Sequence, residues 1–300
     1  MANKIQIKRG LKSKLPTLLD GELGLCTDTK EVFVGNGGEN IDVTNKDKID
    51  ALNYMSAPSN ITSIPKNIRY IGHRGASLLM PENSIPSYEM AGKLGLWGAE
   101  CDITTTSDGV WVLMHDNTVD RTTNGTGTVS SLTLSQIKAL KIDTGSNISM
   151  YPNLKVPTLD EYLATCKRFN IVPVIEIKSA TNISDYDTLV NQIRKYGYEE
   201  NCVIISFSLT ALQEVRKRSK KIVMQYLADI NTTTINDVKL LGNCGLDVYS
   251  LNITKELVEL AHSNGIMVNV WVINNYQDVK TMMNYGVDFI STDIITGGVI

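Results

Sequence analysis

Long apolar runs are missing from this chain. No stretch approaches the about 18 consecutive apolar residues that a helix needs to cross a bilayer, so no membrane span is expected. Residues 1–25 hold Lys4, Lys8, Arg9, Lys12 and Lys14 but neither an apolar core nor a small-residue cleavage site, so a secretory leader is not expected. An excess of positive charge is also lacking: 29 basic residues face 32 acidic ones. A domain that neutralises many phosphates is usually basic, so nucleic acid is not an expected partner. Paired cysteines are absent as well. Cys26, Cys101, Cys166, Cys202 and Cys244 are odd in number and widely spaced, with no C-x-x-C, which excludes a zinc knuckle and a disulfide framework and suits buried free thiols. Histidine is scarce, at three residues, too few and too scattered for a zinc motif.

What is present is ordinary for a globular protein: 42% hydrophobic and 20% charged residues over 300 positions, enough for a sizeable core. The pattern changes near residue 60. Residues 1–45 read as a small β-rich module of short runs between turns: Ile5–Lys8, then Leu23–Leu25 after Asp20-Gly21, then Val32–Val34 running into Gly35-Asn36-Gly37-Gly38. So small a piece buries little surface alone and is expected to pack on a neighbour, including another copy of itself. Residues 46–67 read as a short helix near Lys46–Met55 and a linker.

From residue 68 to 300 the pattern is a short apolar strand, a capped helix, a glycine and another strand. Strands are expected at Ile68–Ile71, Trp97–Ile103, Val172–Ile177, Val203–Phe207, Ile222–Tyr226, Leu246–Tyr249, Met267–Trp271 and Phe289–Ser291. Helices fall between them, with Thr158-Leu-Asp-Glu161 spaced as a capping box and Asn274–Gln277 repeating that spacing. Gly95, Gly197, Gly242, Gly265 and Gly286 sit where helices stop. Eight such units predict an α/β fold, a closed (β/α)8 TIM barrel. A doubly wound open sheet is the alternative, but the first turn, Gly72-His73-Arg74-Gly75, lacks the dinucleotide spacing. Residues 104–157 interrupt the repeat with an extra strand, Val110–Met114, and a short helix within Ser130–Leu140. They form a rim insertion after barrel strand 2.

On that frame the polar strand ends converge. His73 and Arg74 end the first strand. Glu100 and Asp102, two apart on the second, face one way, and Glu176 and Lys178 repeat the spacing on the third. His115 and Asp116 follow the extra strand. Gathering Glu100, Asp102 and Glu176 costs free energy through like-charge repulsion, which a divalent cation relieves. All-oxygen ligation suits Ca²⁺ or Mg²⁺. Arg74 and Lys178 suit a phosphate group, and two histidines supply the proton acceptor and donor that P–O cleavage needs. Trp271, at the end of the seventh strand, either lines the mouth and stacks on a glycerol or sugar backbone or packs in the core. Trp97 and Trp111 read as packing residues, His262 as structural, and Asn124-Gly125-Thr126-Gly127 as a turn without the lysine of a phosphate loop. Cys101 should point away from its carboxylate neighbours.

Ile71-Gly-His-Arg-Gly-Ala76, Pro81-Glu-Asn83, Glu100-Cys-Asp102, Thr106-Ser-Asp-Gly109, His115-Asp116, Arg121-Thr-Thr-Asn-Gly125 and Glu176-Ile-Lys178 resemble the motifs of the glycerophosphodiester phosphodiesterase family, in the same order. The resemblance implies a (β/α)8 barrel that hydrolyses glycerophosphodiesters. It implies His73 and His115 as the acid/base pair, and Glu100, Asp102 and Glu176 as ligands of Mg²⁺ or Ca²⁺. Arg74 and Lys178 are then the phosphate-binding residues. Water or a substrate hydroxyl can be the first nucleophile in the wider superfamily.

Ile5–Gly10, Leu19–Gly24, Thr27–Lys30 and Val32–Gly37 resemble the short amino-terminal module of phage tail and baseplate proteins. That likeness implies a virion tail enzyme, trimeric, partnered by other tail or baseplate proteins. Made in the host cytoplasm, it would act at the bacterial cell surface on glycerophosphate teichoic acid, a polymer of glycerophosphodiesters. The competing expectations are a phosphodiesterase of small glycerophosphodiesters from lipid turnover, a catalytically silent teichoic-acid-binding tail protein, and a phospholipase D-like relative that closes a cyclic phosphate.

Overall fold

A parallel sheet with both faces buried must either be covered by helices on two sides or close on itself. Here it closes. The computed structural model describes residues 7–10, 23–26, 32–36, 39–42 and 68–293. Two compact units divide the chain, Met1–Asn60 and Ile61–Ile300.

In the first unit, β1 (Ile7–Gly10), β2 (Leu23–Cys26), β3 (Val32–Asn36) and β4 (Glu39–Asp42) form one sheet in that order. β1 runs parallel to β2, and the other two pairings are antiparallel. The first strand holds Ile7 and Lys8 of the alternating pattern and runs through Gly10, while Ile5 and Gln6 lie outside the described residues. β4 is a strand that the pattern of Glu39-Asn-Ile-Asp42 did not announce, because one apolar residue in four gives no alternation to read. The helix expected near Lys46–Met55 and the linker after it lie outside the described residues.

In the second unit eight parallel strands make a ring: β5 (Arg69–Gly72), β6 (Gly98–Thr105), β8 (Val172–Ser179), β9 (Val203–Ser206), β10 (Val223–Leu227), β11 (Cys244–Tyr249), β12 (Val268–Trp271) and β13 (Phe289–Thr292). β13 pairs with β5 (Phe289 beside Arg69) and β5 with β6 (Ile71 beside Gly98), which closes the barrel. Each strand occurs where the apolar run placed it, with ends shifted by one or two residues.

Seven α-helices connect consecutive barrel strands among the described residues: α1 (Ile85–Lys93), α3 (Leu159–Phe169), α4 (Asp185–Tyr196), α5 (Leu209–Arg218), α6 (Thr232–Leu241), α7 (Lys255–Ser263) and α8 (Tyr276–Tyr285). The Thr158–Glu161 capping box forms as its spacing suggests. The last helix differs. Asn275, not Asn274, caps α8, accepting from the Asp278 N–H, and Asn274 turns instead toward Asp293. α6 starts three residues before its first apolar position because Asn231 and Thr234 form a capping box.

Alternation along the strands sorts the core. Ile71, Val174, Val203, Ile205, Leu227 and Phe289 fill the barrel interior. Cys101, Ile103, Ile175, Ile177, Ile204, Val268 and Val270 belong to the core shared with the helices, so Cys101 does point away from Glu100 and Asp102. Cys101, Cys166 and Cys202 are buried free thiols. The insertion spans β7 (Trp111–Leu113) and α2 (Leu134–Ala139), with a satellite core of Val112, Met114, Val119, Val129, Ile137, Ile142 and Val156. β7 pairs antiparallel with the end of β6, which locks the insertion beside the barrel mouth. No helix among the described residues is long and apolar enough to cross a membrane.

The opposite, amino-terminal end of the barrel is held by Arg216. Its buried guanidinium donates to the carbonyls of Ser219, Ile222, Gly242 and Asn243 at 2.7–3.2 Å. Arg216→Met should leave the Ser219 and Gly242 carbonyls without this donor, while Asn243 and Ile222 keep the Met224 N–H and the Asn243 Nδ2, and should cost about 2–4 kcal/mol of stability, read from the urea midpoint. Activity of the folded fraction should be unchanged, because this end of a barrel carries stability rather than chemistry.

Candidate active site

A tight turn after β5 presents the first two polar groups. Gly72 and Gly75 permit it: a Cβ on Gly72 would lie 2.7 Å from the Gly75 carbonyl oxygen, and one on Gly75 would lie 2.3 Å from Ser87 Oγ. Gly75 and Arg74 both take positive φ there, 81° and 55°. The Arg74 N–H, turned inward, donates to Glu100 Oε2 at 2.7 Å.

Glu100 and Asp102 from β6 and Glu176 from β8 are buried, and one oxygen of each lies within 4.8 Å of the others. Burial raises the Glu100 carboxyl well above the ordinary carboxylate range, and repulsion from Asp102 and Glu176 adds to it. Burial also raises Glu176, with Asp102 adding and Lys178 opposing. Glu100 Oε1 is fully buried without a hydrogen-bond partner. An orphaned carboxylate oxygen facing two further carboxylates fits a hard divalent cation, and these three residues could hold one.

Cations flank the cluster. Lys178 Nζ stands 2.9 Å from Glu176 Oε1 and 3.7 Å from Asp102 Oδ1. Burial alone would lower its ammonium, but Glu176 and Asp102 outweigh that and raise it. Arg74 Nε lies 3.5 Å from Asp102 Oδ2. Asn83 braces the same carboxylate: its Nδ2 donates to Asp102 Oδ2 at 2.7 Å, while its Oδ1 accepts from the Asp102 N–H and from Tyr88.

Each histidine carries an aspartate. His73 Nδ1 is 2.8 Å from Asp293 Oδ1, and Ser77 and Asn274 also donate to that carboxylate. Burial would raise Asp293, but His73, together with the Asn274 and Ser77 donors, overcomes it and holds the carboxyl low. His115 Nδ1 is 2.6 Å from Asp116 Oδ1. A carboxylate on Nδ1 fixes which ring nitrogen remains for other chemistry, here Nε2 in both cases. Asp293, Asn83 and Glu82 are the site residues that sequence reasoning missed. Asp293 was discoverable by the rule that found the others, since it follows the last barrel strand at its carboxyl end. Asn83 and Glu82 were quoted within a motif but had no signal of their own, because they act by hydrogen bonds to residues 19 and 39 positions away.

Trp271 takes the packing role and also stands beside other aromatic rings. It packs against the interior core, and its ring lies 5.1 Å from Tyr249 and 5.9 Å from the exposed Phe207 at the mouth. Trp97 and Trp111 pack as expected: Trp97 stacks near Phe289, and buried Trp111 donates to the Asp185 carbonyl. His262 lies at the end of α7, paired with Asp288 at 3.0 Å and remote in the fold from the barrel mouth.

A closed barrel with a buried carboxylate triad that could hold a cation at its carboxyl mouth is an architecture suited to hydrolysis. Residues 73–296 match the family model for the glycerophosphoryl diester phosphodiesterase family, and the chain belongs to that family. It is 34% identical to a glycerophosphodiester phosphodiesterase of Caldanaerobacter subterraneus, over 74% of this chain and 93% of that one. With a Bacillus subtilis glycerophosphodiester phosphodiesterase it shares 29% identity over 81% of this chain and 90% of the other. The crystal structure of a glycerophosphodiester phosphodiesterase from Parabacteroides distasonis superposes with a TM-score of 0.65 at 28% identity, covering 76% of this chain and 93% of that one. An Oleispira antarctica phosphodiesterase solved with sn-glycerol-3-phosphate has a TM-score of 0.71 at 24% identity, covering 75% and 93%, and shares the fold. The chain is thus a glycerophosphodiester-hydrolysing enzyme with a candidate metal cluster. Residues 5–38 match the model of the major tropism determinant N-terminal domain, a module of the phage tail kind.

Arg121, then His115, hold the Asp116 carboxyl down at about 2. The unfolded chain would titrate near about 3.9, so between these values the unfolded state binds more protons. Asp116 should therefore contribute its full stabilisation above about pH 4 and lose it as pH falls through about 2. The melting temperatures of wild type and Asp116→Asn should differ at pH 6 and converge toward pH 2.5.

Proposed function

We propose that this enzyme cleaves the phosphodiester bonds of glycerophosphate teichoic acid at a bacterial surface, carried there as part of a phage tail. The observation that carries the chemical half of this reading is the pair of Asp–His contacts at one mouth, each leaving Nε2 for substrate. In this reading Glu100, Asp102 and Glu176 hold one Ca²⁺ or Mg²⁺. When bound, the ion supplies positive charge to a non-bridging phosphate oxygen. Arg74 and Lys178 hold the remaining phosphate oxygens; Arg74, as a planar fork, also fixes orientation. One of His73 and His115 accepts the proton of the attacking hydroxyl at Nε2, and the other donates from Nε2 to the leaving oxygen. Asp293 and Asp116 keep each ring in the required tautomer. Trp271, with Tyr249 and Phe207 beside it, offers an apolar wall for the carbon backbone of glycerol.

The biological half rests on residues 1–45 as an assembly or attachment module, with residues 46–67 joining it to the catalytic barrel of residues 68–300. The match at residues 5–38 supports this. The module's partners would be other tail or baseplate proteins, with the chain assembled as a trimer; the size of the module favours such packing. A second reading, hydrolysis of small glycerophosphodiesters, is favoured by the matches to curated glycerophosphodiester phosphodiesterases over most of their length.

Purified glycerophosphate teichoic acid and glycerophosphocholine, digested side by side with products followed by mass, separate the two. Faster shortening of the polymer is the expected outcome; a preference for the small diester would overturn the tail-enzyme reading. Chelation by EDTA should abolish turnover, with recovery on adding Ca²⁺ or Mg²⁺. His73→Ala and His115→Ala should each lower kcat by about 10²–10⁴-fold without loss of fold by circular dichroism. Full activity in either variant would remove that residue from the chemistry.

A further inference from the structure

Glu82 and Arg121 lie in two of the quoted motifs, yet the chemistry above gives neither a part. They belong to different loops: Glu82 lies between β5 and α1, and Arg121 in the rim insertion. The Arg121 guanidinium spans two carboxylates. Nε donates to Asp116 Oδ2 at 2.6 Å and Nη2 to Asp116 Oδ1 at 3.2 Å. Nη1 donates to Glu82 Oε2 at 3.1 Å and Nη2 to Glu82 Oε1 at 2.7 Å. Beyond these contacts, Asp116 Oδ1 meets His115 Nδ1, and Glu82 Oε1 accepts from Arg74 Nη1 at 3.1 Å. One unbroken chain therefore runs His115–Asp116–Arg121–Glu82–Arg74. It joins a histidine of the insertion to an arginine of the first barrel loop.

An isolated exposed ion pair contributes little. This one is different in geometry: both carboxylates are gripped by two N–H groups of a single planar fork, and each is also held by a second group. We propose that Arg121 is a positioning residue for phosphodiester cleavage, setting with Glu82 the placement of His115 relative to Arg74. The proposal rests on the roles given to His115 and Arg74 above. A lysine would keep the charge but is a point donor that cannot grip two carboxylates at two points each. Charge alone therefore should not suffice.

The test is steady-state kinetics on glycerophosphocholine with the full chain and its cation, for Arg121→Lys, Arg121→Gln, Glu82→Gln and His115→Ala, beside melting temperatures. A misplacement of about 1 Å is enough to lower a rate about 10²-fold. Arg121→Gln and Arg121→Lys should both lower kcat by about 10–100-fold, with KM within about twofold, at a temperature where each variant is fully folded. Arg121→Gln should melt below wild type at pH 6, because Asp116 loses the partner that holds its carboxyl down. Glu82→Gln, which frees both Arg121 and Arg74, should lower kcat and raise KM. The double variant Arg121→Gln/Glu82→Gln should be no slower than the slower single, because both cut one chain. Wild-type kcat in Arg121→Gln, or full rescue by Arg121→Lys, would overturn the proposal. So would activity that returns on cooling in step with refolding, which would reduce Arg121 to a fold-stabilising contact. Should Arg121→Gln fail to fold, Glu82→Gln decides: unchanged kcat and KM would overturn it. Full activity in His115→Ala would instead overturn the role assigned to His115. An inactive His115→Ala beside fully active Arg121 variants would sink only the coupling.

Discussion

Three carboxylates buried within one another's reach repel, and the rest of the mouth is arranged around that fact. Glu100, Asp102 and Glu176 are placed by two neighbouring strands whose pairing sets Asp102 beside Glu176. Protein groups relieve part of the repulsion: the Arg74 N–H on Glu100, Asn83 on Asp102 and Lys178 on Glu176. The relief is incomplete, since a buried oxygen of Glu100 stays unpaired and the Glu100 and Glu176 carboxyls are driven upward. A cluster left in that condition by its own fold is suited to a hard cation, and a fixed cation beside two cationic side chains suits a phosphate.

Around that cluster the two histidines are supported in parallel ways from different parts of the chain. His73 takes its carboxylate from the end of β13, 220 residues away, so barrel closure brings the pair together. His115 takes its carboxylate from the next residue, and the insertion carries both. The first pair depends on the ring being shut. The second depends on the small satellite core that seats the insertion against β6, and on the Glu82–Arg121 contact that reaches back to the first loop. The Arg74 backbone, at positive φ in the turn for which Gly72 and Gly75 leave space, serves both halves, since its N–H and its side chain bind different carboxylates.

Much of this was legible in the chain itself. Apolar runs and terminal glycines locate all eight barrel strands, because burial on both faces demands uninterrupted apolar residues. The two-apart spacing of Glu100 with Asp102 and of Glu176 with Lys178 places each pair on one face, because strand side chains alternate. Where reading fell short, the signal was weak or non-local. Glu39–Asp42 has too few apolar residues to declare a strand. Asn275 rather than Asn274 became the cap because Asn274 found a better use against Asp293. Asp293, Asn83 and Glu82 each look like surface polar residues until a distant partner is known.

By itself, then, the sequence determined the period of the elements, the face on which each strand-borne charge lies, and the residue types from which a phosphodiesterase site can be made. These are local properties, set by side-chain alternation and capping chemistry within a few residues. Only the tertiary structure decided which groups meet. It brings Asp293 to His73, Asn83 to Asp102, and Arg121 to Glu82. The reason is physical: ring closure and the seating of the insertion are settled by packing over the whole domain, and no window of sequence contains both partners of those contacts.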